Sequence, residues 1–490
     1  GKGEASTDEI VEAVNDGTLS EAQLDIAVRR ILHLIFSFQV QSDNQKVHYD
    51  LAEQHHFARQ AAEESMVLLK NQDQILPLQQ SDSVAIVGAL AEHPRYQGGG
   101  SSHVNAFKIT TPFEIARADD SNVPYAPGYT LEDANVDESL AADAVNLAKR
   151  ADKVIFFAGV PEQDESEGFD KQELELPENQ NALIKQIASV NSNVVVVLQN
   201  GSAVTMPWIS QVKAVLETYL AGEAVGEATW NVLKGVVNPS GKLAETFPLR
   251  LEDTPAYGTF DASLEEENYR EGIFVGYRYY DAKKQPVLFP FGYGLSYTTF
   301  DYHDLIVNEI DGHKVEVKFK VTNSGKRAGK EIAQIYVANH VSLIEKPAKE
   351  LREFKKIVLE PGETEQVAVT LPRRAFSWYN PDTNTWQVDN GSYDIEIGQS
   401  SAEIRLQQAI QLTWTKSKGI QVTENTYFAD IIAHPKLSSA LQASGLDKLL
   451  AKLQESPENA QLLENIPLRS AVMLGANNEQ IAKFIRLANQ

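Results

Sequence analysis

Four short apolar runs constrain this chain most: Val84–Val87 (VAIV), Val154–Phe157 (VIFF), Val194–Leu198 (VVVVL) and Val212–Leu216 (VKAVL). Runs of β-branched residues without polar alternation cannot face water on either side. They fit strands covered on both faces of a largely parallel sheet. Helical stretches near 137–151, 177–190 and 223–234 lie between or after them. A further helix is expected over about 50–70, with Phe57, Ala61, Ala62, Ser65, Leu68 and Leu69 on one face. This alternation reads as an α/β sandwich over 47–246.

The period then changes. After a connector rich in Gly, Pro and aromatics at 247–300, apolar residues alternate with polar ones in Val315–Val321, Ile332–Val337, Gln366–Leu371 and Ser392–Ile397. Turns such as Asn323-Ser324-Gly325, Pro361-Gly362 and Asn390-Gly391 separate these runs. Short alternating strands with regular turn signals indicate an immunoglobulin-like or fibronectin type III-like β-sandwich over 301–414. Residues 415–490 read as a small helical segment broken at Pro435, Pro457 and Pro467. At the other end, 1–46 holds two helices. Ser6 or Thr7 is expected to cap the first, which stops at Gly17. Ser20 with Gln23 makes a capping box for the second, whose apolar face carries Leu24, Val28, Ile31, Leu32 and Ile35. Two helices cannot form a core alone, so this segment reads as the tail of something larger. The fold class is therefore α/β plus all-β.

Composition narrows the function. The 490 residues contain no cysteine, which excludes disulfides, thiolate nucleophiles and cysteine-bound metals. A formal charge of −24 disfavours nucleic acid and anionic membranes as partners. The densest basic cluster, Lys346, Lys349, Arg352, Lys355 and Lys356, is interleaved with Glu345, Glu350 and Glu353 and reads as a mixed surface face. No apolar run reaches membrane-spanning length. The start, GKGEASTDEI, shows no signal peptide; localisation is left open, with the cytoplasm favoured.

Two loops can carry chemistry. The one after VIFF places Glu162, Asp164, Glu165, Glu167 and Asp170 close together, and crowded carboxylates raise one another's pKa toward that of a general acid. A solvated acidic loop or a weak calcium site is the alternative. The loop after VAIV, Arg95-Tyr-Gln-Gly-Gly-Gly-Ser-Ser102, lets a backbone approach a ligand and offers hydroxyls for polyol recognition, or is only a tight turn. Gly88-Ala-Leu lacks the glycine spacing and lysine of nucleotide loops, and His55-His56 lacks the glutamate of a zinc-protease helix. His93 and His103 flank the glycine loop. The aromatic string from Tyr277 to Phe300 fits either sugar stacking or a clamp between the two sandwiches.

Several longer motifs, in order, resemble the carboxyl-terminal part of a family-3 glycoside hydrolase of the β-glucosidase group. They are Leu68-Leu-Lys-Asn71 before Leu76-Pro-Leu78, Gly98-Gly-Gly-Ser101 with Val104-Asn105 and Thr111-Pro112, and Glu167-Gly-Phe-Asp170 with Leu176-Pro177 and Gln180. Val237-Asn-Pro-Ser-Gly-Lys-Leu243, Thr246-Phe-Pro248 and Phe289-Pro-Phe-Gly-Tyr-Gly-Leu-Ser-Tyr297 continue the series, and Thr322-Asn323-Ser-Gly325 with Gly329 resembles the appended fibronectin-type domain. The match covers about 1–413.

The resemblance implies a retaining hydrolase of terminal β-D-glucosyl residues, with Glu167 as acid/base and with Ser101 and the Gly98, Gly99 and Gly100 backbone contacting the sugar. No metal or cofactor is implied. Lys171 stands where the family often has arginine, and lysine cannot form a bidentate fork. The family's nucleophilic aspartate and most of its glucose-binding residues lie on a preceding (β/α)8 barrel, of which Asp8–Phe36 resembles only the last helices. The expected partners are therefore a β-glucoside or oligosaccharide and a barrel portion in cis or as a separate chain, without which the chain should be inactive. A homo-oligomer is left open. The alternative is a non-catalytic carbohydrate-binding or scaffolding protein derived from such an enzyme.

Overall fold

The computed structural model describes residues 4–42, 49–260, 265–340, 342, 344–381, 384–414, 421–432, 434, 437–454 and 466–489. Pro435 and Pro457, two of the expected breaks in the helical tail, lie outside the described residues. The chain begins with helices α1 (Glu4–Asn15), α2 (Glu21–Ser42) and α3 (Leu51–Ser65). Strands β1 (Val67–Asn71) and β2 (Val84–Val87), helix α4 (Pro112–Asp119), strand β3 (Tyr125–Ala126) and helix α5 (Glu138–Ala148) follow. Then come β4 (Lys153–Gly159), α6 (Glu178–Val190), β5 (Val194–Gln199), β6 (Ala214–Glu217) and α7 (Val225–Leu233).

Strands β1 to β6 form one sheet in the order β1-β6-β5-β4-β2-β3, with β1 antiparallel to β6 and the other pairs parallel. Every residue of β5, and every residue of β4 after Lys153, is buried, as two-faced coverage requires. The chain leaves β2 for β3 on one side and returns to β4 on the other. A topological switch therefore lies between β2 and β4, and ligands of such sheets gather beyond the strand ends at that point.

Two sequence expectations need correction. The helix expected over about 50–70 stops at Ser65, and Val67–Asn71 pairs with β6, so Leu68 and Leu69 are buried strand residues while Phe57 is exposed. Periodicity cannot separate a short apolar strand from a continuing helix, and pairing with β6 decides it. Helix α1 already begins at Glu4, so Ser6 and Thr7 lie within it rather than capping it. Ser20 does open α2, its Oγ accepting from the Gln23 amide at 3.2 Å. The Gln23 side chain, however, meets the Ser20 hydroxyl, at 3.1 Å. Val28, Ile31, Leu32 and Ile35 on α2 remain exposed.

The connector forms β7 (Phe247–Pro248), α8 (Tyr277–Lys283) and β8 (Val287–Phe289). It leads into β9 (Phe300–Ile310), β10 (Lys314–Asn323), β11 (Gly329–Asn339), β12 (Glu350–Leu359) and β13 (Thr364–Pro372). A hairpin of β14 (Trp378–Asn380) and β15 (Thr385–Gln387) precedes β16 (Gly391–Gly398) and β17 (Ile404–Leu412). Sheets β13-β10-β9 and β12-β11-β16-β17 enclose a core that includes Val317, Phe319, Val321, Ile335, Ile395 and Ile397. Of the basic cluster, Arg352, Lys355 and Lys356 fall on the edge strand β12, whereas Lys346 and Lys349 before it are largely buried and paired with Asp389 and Asp281. Connector aromatics join the two sandwiches. Tyr277 stacks on Phe291 at 4.6 Å, meets Tyr336 edge-on at 6.1 Å, and its hydroxyl accepts from the Leu351 amide at 2.7 Å. Helices α9 (Phe428–Ile432), α10 (Ser438–Ser444), α11 (Leu446–Gln454) and α12 (Asn478–Ala488) surround a separate core around Phe428, Leu441 and Phe484.

Candidate active site

The glycine loop continues from β2 and the acidic loop from β4, so the switch point brings both to one end of the sheet. They touch directly. Gly99 bridges Ser166 as in a parallel ladder, and a Cβ at residue 99 would sit 2.5 Å from Ser166 Oγ. Gly100 has φ +80, and a Cβ there would lie 2.7 Å from Glu167 Cβ and 3.0 Å from its Oε2. Both glycines are required by this approach. The Ser101 amide donates to Glu167 Oε2 at 2.8 Å. Glu167 and the Gly98–Ser101 loop, singled out from the sequence, thus form one unit.

The remaining acidic residues divide. Glu165 turns inward: its Oε2 accepts from Arg95 Nη1 and, at 2.7 Å, from the Gly201 amide, while its Oε1 accepts from Ser202 Oγ. Arg95 also donates to the carbonyls of Val160 and Glu165, each at 2.9 Å. Lys171 points to the same cluster, with Nζ 3.1 Å from Ser202 Oγ and 3.6 Å from Glu165 Oε1. Arg95 thus reaches the Glu165 carboxylate through Nη1 alone, while its Nη2 holds the backbone carbonyl of the same residue. At the base of the loop, buried Gln180 clamps Gly159 with two hydrogen bonds, each 2.9 Å. His103 pairs with Glu162 at 2.7 Å on the exposed rim. His55 lies between Glu223 at 2.7 Å and Glu227 at 3.3 Å.

Crowding does not raise the two central carboxyls of this loop. Glu167 is exposed, and hydrogen bonds from the side chain and amide of Ser101 hold it below the usual carboxylate range. For Glu165, burial pushes upward, but donors Ser202, Gly201 and Arg95 and the charge of Lys171 outweigh it, so it too is lowered. The raised carboxyls stand behind them and come from outside the loop. Burial lifts Glu217 well above the ordinary value against donors Tyr219 and Asn200, and burial also lifts Glu245 against Lys171. Glu217 and Glu245 were not read from the sequence. Each sits in an unremarkable local string, and only the fold places it beneath the loop.

A concavity of about 340 Å³ opens between the loops, lined by residues that include Arg95, Gly99, Ser166, Phe169, Ser202 and Leu220. Its polar floor and the exposed Phe169 ring suit a neutral polyol with an apolar face. Among the described residues, no group of three or more His, Cys, Asp or Glu is placed to hold a metal ion.

Residues 66–297 match the glycosyl hydrolase family 3 C-terminal domain, and 331–401 match the fibronectin type III-like domain. Thermostable beta-glucosidase B of Acetivibrio thermocellus is 45% identical over 474 residues, which is 94% of this chain and 62% of that protein. An exo-alpha-(1->6)-L-arabinopyranosidase of Bifidobacterium breve is 37% identical over 98% of this chain and 65% of its own length. The crystal structure of a Bifidobacterium adolescentis GH3 beta-glucosidase superposes with a TM-score of 0.84 at 38% identity, covering 88% of this chain and 64% of that one. The chain spans a little under two thirds of the length of these relatives. With the candidate site at the switch point of the matched α/β domain and the matched β-sandwich beyond it, this chain carries the glycosyl hydrolase family 3 C-terminal domain followed by a fibronectin type III-like domain.

Proposed function

We propose that this chain carries the acid/base half of a retaining β-glycosidase, most simply a β-glucosidase, whose nucleophile resides on a (β/α)8 barrel portion supplied in cis or as a separate chain. The observation that carries the reading is the placement of Glu167: an exposed carboxylate at the switch point, fixed by the Ser101 amide beside a glycine-lined concavity. In the first step Glu167 donates its proton to the glycosidic oxygen as the nucleophilic carboxylate bonds to the anomeric carbon and the aglycone leaves. In the second, Glu167 as carboxylate takes a proton from the water that attacks that carbon, which releases the sugar and restores the acid. Ser101 and the Gly98–Gly100 backbone face the sugar. The exposed apolar stripe of α2, with Ile31, Leu34, Phe36 and Phe38, supports the presence of further protein packed over these helices.

Relatives named for β-glucosides and for an α-L-arabinopyranoside fit one site, because the two glycosides share the orientation of the anomeric bond relative to the ring. Aryl β-D-glucosides and aryl α-L-arabinopyranosides are thus the substrates to compare. The chain combined with the barrel portion should hydrolyse an aryl glycoside. Glu167→Ala should lower kcat/KM by about 10²–10⁴-fold for poor leaving groups, with azide restoring turnover of good ones. Unchanged kinetics would overturn the assignment. Tight glucose binding by the isolated chain in calorimetry, with no activity on recombination, would favour the carbohydrate-binding alternative.

A further inference from the structure

Glu165 precedes Glu167 by two residues and makes no approach to the exposed rim. Its carboxylate instead gathers donors from three separate segments. They are Arg95 from the start of the glycine loop, the Gly201 amide and Ser202 hydroxyl beyond β5, and Lys171 from the far end of its own loop. Arg95 is itself buried, with a side chain 5% exposed, and it also holds the loop carbonyls of Val160 and Glu165. The Arg95 amide donates to Gln199 Oε1 at 2.8 Å, which ties the glycine loop to the end of β5. One ion pair therefore fixes both loops whose contact presents Glu167 to Ser101. Resting on the reading of Glu167 as acid/base, we propose that Glu165 is a positioning residue, paired with Arg95, that sets the location of Glu167 against the glycine loop.

The loop cannot hold this register by local structure alone. Pro161–Lys171 contains one three-residue turn of 3-10 helix, Glu162–Asp164, and Gly168 beyond Glu167 has φ +86 with no atom near its missing Cβ. Its fixed points include the Gly99–Ser166 bridge at residue 166 and the Glu165 cluster at the residue before it. Without the charge at 165, Arg95 is left buried without its carboxylate, and the segment that carries Glu167 loses its inner anchor.

The experiment uses the 490-residue chain and the same chain combined with the barrel portion. In the chain alone, the Ser101 amide resonance should follow the titration of Glu167, because that amide donates to the carboxylate. Glu165→Gln should abolish this coupling while leaving the amide spectrum of the β-sandwich unchanged. In the combined enzyme, Glu165→Gln should lower kcat/KM about 10- to 100-fold for poor leaving groups and less than about threefold for a dinitrophenyl glycoside, as expected of a misplaced acid. Where Glu165→Gln does not fold, Arg95→Lys, which keeps the charge and loses the fork, is read the same way. Retained Ser101 coupling, or equal losses on both substrates, overturns the proposal. Glu167→Ala run in parallel separates the two ideas. If it shows no leaving-group dependence, the acid/base reading fails, and the Ser101 coupling still decides whether Glu165 places residue 167.

Discussion

Replacing Gly100 by alanine tests the contact between the two loops most directly. The new methyl would stand 2.7 Å from Glu167 Cβ, where carbon atoms rest at about 3.5–4.0 Å. The loops must therefore separate by roughly 1 Å, which takes the 2.8 Å bond from the Ser101 amide to Glu167 past useful length. Alanine at φ +80 adds backbone strain of about 1–2 kcal/mol. Gly362 provides the control, since it has φ +78 in a β-sandwich turn with nothing within 4 Å of its missing Cβ. Gly362→Ala should thus lose about that strain in urea unfolding, and Gly100→Ala at least as much. Only Gly100→Ala should displace the carboxylate. With the barrel portion present, it should lose about 10- to 100-fold in kcat/KM on poor leaving groups, since an ångström of misplacement is worth about that much. Gly362→Ala should lose less than about threefold. Equal activity of the two variants would refute the reasoning, because strain alone would then account for everything seen.

Other expectations follow from buried polar groups. Burial raises the Glu217 carboxyl well above the ordinary glutamate range in the folded chain, so folding favours its protonated form. Its stabilising contribution is full below the ordinary glutamate pKa of about 4.3 and fades as pH rises toward the folded value. Glu217→Gln should therefore gain on the parent chain in thermal unfolding as pH rises above about 4.3, and parallel curves would count against the raised pKa. Asn181→Ala strands the Trp208 indole N–H, now 2.9 Å from Asn181 Oδ1 and fully buried, and should cost about 1–3 kcal/mol in urea unfolding. Gln334 donates to the Gly292 and Gln399 carbonyls at 2.9 and 2.7 Å and accepts from the Tyr336 hydroxyl at 2.6 Å. Gln334→Leu should cost at least about 2 kcal/mol and split the calorimetric transition if this contact couples the sandwiches.

The two fold classes were legible because burial writes itself into sequence periodicity. Val194–Leu198 can only be a two-faced strand, and Val315–Val321 can only have one wet face. What escaped was decided by pairing across the chain. Leu68 and Leu69 look like one more helical turn until β6 claims them, and β12 hides its alternation beneath the charges that protect an edge. At the site, motif order pointed to Glu167 and the glycine loop, and the fold brings them into contact. Arg95 and Glu165 were visible as letters in those motifs, yet their pairing joins two loops 70 residues apart, which no local pattern encodes. Glu217 directly follows the Val212–Leu216 run and Glu245 lies between two of the motif pieces, yet neither position marks a buried carboxyl beneath the loop.

On the proposed reading of Glu167, the electrostatics bear on which share of the work falls to this chain. A general acid must hold a proton near neutral pH, and here the Ser101 donors favour the ionised form of Glu167. The carboxyls whose proton affinity burial raises, Glu217 and Glu245, lie behind the loop, and Glu217 is wholly shut off from solvent. Choosing catalytic groups by perturbed pKa alone would select these two, although besides burial it is the neighbouring carboxylates that raise them, Glu165 acting on both and Glu245 on Glu217. Geometry outranks proton affinity in this site. If Glu167 is the acid, what raises its pKa must be whatever covers it: substrate, the barrel surface and the second carboxylate, which together remove water and add like charge. This chain then contributes position, an anchored loop that presents a carboxylate at a fixed place. Its proton affinity is set only when the site is closed from the other side, so the acid is armed by assembly with substrate and not before.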